Sequence, residues 1–126
     1  MTKSHLFIVT AIVEAGTGLA LVTMPSVVTT ILLGATIDPP VALVVARIAG
    51  MALVSLGVAC WFASKEEESR AARGLVAAML FYNVAVPAVL VLAGLYGIGL
   101  WPVVLGHIAL AVWCVMCLRP RTGDTK

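Results

Sequence analysis

Four side chains able to do chemistry stand inside otherwise apolar runs: Glu14, Arg47, Asn83 and His107. Glu14 interrupts the run from Leu6 to Val22, and Arg47 interrupts the next one. An isolated ion in hydrocarbon costs on the order of 3 kcal/mol on insertion scales, so each needs a partner or a purpose. Such groups either hold helices together through polar contacts or line a path for a ligand or a proton. A self-satisfied Glu14–Arg47 pair speaks for the first reading. A histidine that changes protonation near neutral pH speaks for the second, and the residues alone leave both open.

The elements that must position these groups follow from composition. The chain has 126 residues, 62% of them hydrophobic and only 11% charged, with a mean hydropathy of +1.12. That leaves too little polar surface for a soluble core and implies one integral membrane domain over residues 1–126. Apolar runs at about 6–24, 41–63, 74–95 and 101–118 approach the ~20 residues that cross a bilayer as a helix. Between the first two, Pro25 to Gly34 has apolar positions 27, 28, 31 and 32 at helical spacing but is too short to span. The expected fold is therefore all-α, a polytopic four-helix bundle with a short periplasmic half-helix at the interface. The polar stretch Ser64 to Arg73, with Glu66 and Arg70 four apart, reads as a solvated helical connection.

Charge orients the bundle. Lys3, Lys65, Arg70, Arg73, Arg119, Arg121 and Lys126 all fall on the side that holds both termini, and the opposite loops carry no Lys or Arg. The positive-inside rule makes the termini cytoplasmic, in a bacterial inner membrane. Trp61, Phe62, Tyr96 and Trp101 fit aromatic belts at the two boundaries. A net charge of +2 gives no ground for nucleic acid. The expected partners are the lipid bilayer and either another membrane protein or a second copy. Lys3 before an apolar stretch, with Gly18-Leu19-Ala20 beyond it, has the outline of a cleaved signal, but Glu14 is foreign to a signal core and the apolar run continues past that point.

At about 1.5 Å of rise per residue from the end bearing the termini, Glu14 lies about 12 Å deep, Asn83 about 14 Å, His107 about 16 Å and Arg47 about 22 Å. The stripes Thr10-Glu14-Thr17-Leu21, Arg47-Gly50-Val54-Gly57-Trp61, Val76-Leu80-Asn83-Pro87-Leu90 and Val103-His107-Leu110-Cys114 should face inward, since lipid cannot solvate their polar members. The expectation is one polar layer in which Arg47 pairs with Glu14 while Asn83 and His107 supply the remaining hydrogen bonds. Tyr82, Trp101 and Thr17 are the candidates to line a ligand near it. Gly18, Gly50 and Gly57 are small enough to let helices approach closely. Pro87 would free a backbone carbonyl near Asn83 and Tyr82.

Cys114-Val-Met-Cys117 has the C-x-x-C spacing of redox and metal sites. Buried cysteine also behaves as a small hydrophobe, and this is the expected role here. Cys60 faces away from the Arg47 stripe and is not expected to meet Cys114, and His107 lies about 10 Å from Cys114, too far to share a metal. His5 and His107 differ by about 16 Å in depth, which excludes a haem held between them. Neither a metal nor a cofactor is expected. No nucleophile elbow, phosphate loop or zinc signature is present, so an enzyme is not expected.

Ala11-Ile-Val-Glu14-Ala-Gly-Thr-Gly resembles the first helix of the small multidrug resistance transporters, in which the corresponding carboxylate exchanges protons for cationic drugs. Arg47 departs from that pattern. More of the chain is similar to the DoxX-like bacterial inner-membrane proteins: Glu14 with Gly18-Leu19, a proline and Leu-Leu-Gly34, Arg47-Ile-Ala-Gly50, Leu56-Gly57, Tyr82-Asn83 and His107. That resemblance implies the four-helix fold and the location without an activity. The functional expectation is a small inner-membrane protein that binds a small hydrophobic or anionic ligand, docked at Arg47 and His107, or serves as an accessory subunit. The alternative is a proton-coupled transporter using Glu14.

Overall fold

The computed structural model describes residues 2–37, 39–66 and 69–119. They form five helices and no strand: α1 Lys3–Thr23, α2 Pro25–Leu33, α3 Pro40–Ala63, α4 Arg70–Leu92 and α5 Leu100–Leu118. Helices α1, α3, α4 and α5 are each long and apolar enough to cross a membrane. The chain is an all-α, multi-pass membrane protein with a four-helix bundle at its centre.

Local chemistry sets the boundaries. Proline occupies the first turn of α2 and α3, where its missing N–H costs no helical hydrogen bond. Gly34 ends α2 in the left-handed conformation at φ 67°, which glycine adopts without a Cβ clash. The Ser69 hydroxyl accepts from the Ala72 N–H and starts α4. Arg70 and Arg73 therefore belong to the first turn of α4, and not to a separate helical connection over 64–73. The chain turns after Ala63 instead, and Glu67 and Glu68 lie outside the described residues. So do Asp38 and the end of the basic tail, Arg121 and Lys126 included.

The bundle is built from two antiparallel pairs, α1 with α3 and α4 with α5. The first pair meets backbone to backbone. A Cβ on Gly18 would stand 2.6 Å from the Gly50 carbonyl oxygen, and one on Gly50 2.7 Å from that of Gly18. Gly57 packs the same way on Ala11 and Ala15, so dispersion contacts and close approach hold the pair where lipid offers no hydrophobic drive.

Side chains from both pairs close the core, among them Leu6, Phe7, Val76, Met79 and Leu110. At one end Ser4 Oγ donates to the Ser64 carbonyl at 2.9 Å. At the other, α2 docks on the link between α4 and α5: the N–H groups of Gly97 and Gly99 donate to the carbonyls of Leu32 and Ile31 at 3.0 and 2.8 Å. These bonds satisfy carbonyls that the C-terminus of α2 would otherwise leave open.

Candidate functional site

Glu14 sits on the inward face of α1 with Thr10 one turn before it, and both are buried, at 2% and 1% exposure. Tyr82 of α4 reaches across the bundle, its hydroxyl donating to Glu14 Oε2 at a long 3.4 Å. Glu14 Oε1 and Thr10 Oγ1 have no hydrogen-bond partner. Among the described residues no cation pairs with the carboxylate.

Asn83, the next residue of α4, is buried as well. Its Nδ2 donates to the Met79 carbonyl at 2.8 Å, which fixes the amide and leaves Oδ1 as acceptor. His107 Nδ1 stands 2.8 Å from that Oδ1. An amide oxygen cannot donate, so Nδ1 carries the proton and donates. The Tyr82 and His107 rings meet edge to face with centroids 5.6 Å apart. Glu14, Tyr82, Asn83 and His107 thus form one cluster spanning three helices.

Arg47 does not join it. The residue is exposed, and no ion pair or hydrogen bond links it to any described residue. The reason is register: Gly50 packs on Gly18 and Val22, so Arg47, almost a turn further along, stands level with the end of α1. Glu14 lies level with the stretch of α3 between Val54 and Gly57, roughly 10 Å or more away along the helix. Arg47 is also only about 10 Å from the start of α3, a depth from which a long side chain reaches the polar boundary. The expected Glu14–Arg47 pair is therefore replaced by a buried carboxyl answered only by a phenol.

Thr17 and Trp101 are likewise exposed and away from the cluster, because the buried face of α1 runs through Ala11, Glu14 and Gly18. Tyr82 alone of the three candidate lining residues belongs to the cluster. Cys60 is also corrected. It is wholly buried in the core with Cys114, since Gly50 and Gly57 of the Arg47 stripe pack on α1 and so turn the Cys60 side of α3 into the core while Arg47 and Trp61 stay exposed.

A groove of about 620 Å³ opens on the outer side of α4 and α5, walled by Val84, Ala88, Leu92, Ile108 and Val112 and floored by Asn83 and Pro87. Pro87 lies inside α4 and has no N–H to give the Asn83 carbonyl four residues earlier. The Asn83 carbonyl is therefore left without its helical donor, while the Asn83 side-chain amide is already taken up by Met79 and His107. Among the described residues no three His, Cys, Asp or Glu side chains gather as a metal site. No family model, curated protein or solved structure matches the chain.

Proposed function

We propose that this is a small inner-membrane protein, with both termini cytoplasmic, that binds a small amphipathic molecule in the α4–α5 groove. The apolar groove ending on Asn83, whose carbonyl Pro87 leaves open, carries the reading. A lipid-soluble tail fits the walls, and a head group that donates a hydrogen bond, such as a hydroxyl, phenol or amide, suits the carbonyl. The exposed Arg47 removes the main argument for an anionic head. The DoxX-like resemblance agrees with the fold and location proposed. Native mass spectrometry of protein extracted gently from membranes tests this: a bound small molecule is expected on the wild type and lost from Ala88→Trp, which fills the groove. A wild type that carries none, or a variant that retains it, rejects the reading.

A second reading rests on Glu14. A buried carboxyl with an unpartnered oxygen and no counter-ion among the described residues is what proton-coupled exchange of a cation requires, and the arginine that stood against this is elsewhere. Glu14→Gln should then abolish proton-coupled cation uptake in reconstituted vesicles. Absence of uptake by the wild type removes this reading.

A further inference from the structure

Sulfur gathers at one place in the core. Cys60 of α3, Met79 of α4 and Cys114 of α5 are each 0% exposed and share one packed cluster with Leu6, Phe7, Val76 and Leu110. Cys60 Sγ lies 3.7 Å from Met79 Sδ, and Cys114 packs in the same buried cluster. Three soft donors from three helices thus belong to one buried cluster whose other members are apolar.

We propose that Cys60, Met79 and Cys114 form a binding site for one Cu(I) ion. Thiolate and thioether sulfur select soft cations, whereas hard cations need the oxygen ligands that this shell lacks. Two sulfurs bound at about 2.3 Å to one metal in a trigonal plane stand roughly 4 Å apart, close to the observed separation of Cys60 and Met79. Zinc favours four ligands and makes poor use of a thioether, which sets Cu(I) before it.

Binding breaks one S–H bond and forms a copper–thiolate bond. The proton leaves to bulk water, and the copper stays in its monovalent state. One thiolate and one Cu(I) give a neutral site, as a low-dielectric interior demands. Cys117, half-buried three residues beyond Cys114, stands one turn nearer the end of α5 and offers a first ligand to an ion arriving from there.

The test is an anaerobic titration of the full chain in detergent with the coloured Cu(I)–bicinchoninate complex. The wild type should withdraw one Cu(I) per chain. X-ray absorption should then show three sulfur neighbours at about 2.3 Å. Cys60→Ser combined with Cys114→Ser should abolish uptake, Met79→Leu should weaken it about tenfold or more, and Cys117→Ser should keep the stoichiometry. Size exclusion and helical circular dichroism report whether each variant folds. A wild type that leaves copper with the chelator, a folded double variant that still takes it, or one equivalent of zinc that displaces it overturns the site. Should the double variant not fold, the wild-type spectrum decides: three sulfurs uphold the site, and nitrogen or oxygen ligands overturn it.

Discussion

Gly18 of α1 and Gly50 of α3 meet backbone to backbone, each Cα facing the other's carbonyl so closely that a Cβ on either would stand within 2.7 Å of oxygen. This contact fixes the register of the pair. It places Glu14 level with the stretch between Val54 and Gly57, and Arg47 level with the end of α1.

Gly50→Val should therefore separate α1 from α3, at a cost of about 2 kcal/mol or more from overpacking against backbone that cannot yield. Gly106→Ala, where an added Cβ meets nothing within 4 Å, should leave stability unchanged or raise it by up to about 1 kcal/mol. Reversible unfolding in mixed micelles compares the two.

Arg47→Met should change stability by less than about 1 kcal/mol, and its double-mutant cycle with Glu14→Gln should show coupling near zero. Each follows from the absence of a contact between these side chains. Coupling above about 1 kcal/mol would restore the ion pair.

Asn83→Leu leaves the His107 Nδ1–H without its acceptor, and His107→Leu leaves Asn83 Oδ1 without its donor. A cycle over the two should give a favourable coupling of about 1 kcal/mol, in the range of interhelical hydrogen bonds in membranes. Its sign is the check, since two independent packing contacts would add without coupling.

Pro87→Ala supplies the N–H that the Asn83 carbonyl lacks. It should stabilise α4 by about 1 kcal/mol while reducing the amount of bound molecule found by native mass spectrometry. A stabilised protein that keeps its full ligand load would show that the carbonyl is not used.

Gly97→Ala should loosen α2, because its Cβ would run into the Ile31 carbonyl and displace the Gly97 N–H from Leu32. A loss of about 1–3 kcal/mol is expected. Hydrogen exchange at Gly97 and Gly99 should rise with it.

Much of this is legible in the residues. Apolar runs bounded by proline and glycine locate four spans and the short helix α2, because hydrocarbon forces every backbone group into a helix. The burial of Glu14 and Asn83 follows from polar groups that lipid cannot solvate, and the three interface glycines follow from their size. Tyr82 is legible as a candidate lining residue, yet its bond to Glu14 has no local signal, since the two are separated by more than half of the chain.

What the residues alone determine is thus the number of spans, where each runs to within a turn or so, and the angles between side chains within each helix. Only the tertiary structure decides how far each helix is rotated and slid against its neighbours. Helical periodicity fixes Cys60 relative to Gly57, and Arg47 relative to Gly50, but says nothing about which of them faces the core. The glycine contact settles that, because the closest approach of two backbones is a property of both helices together. It turns Cys60 inward beside Met79 and leaves Arg47 outside.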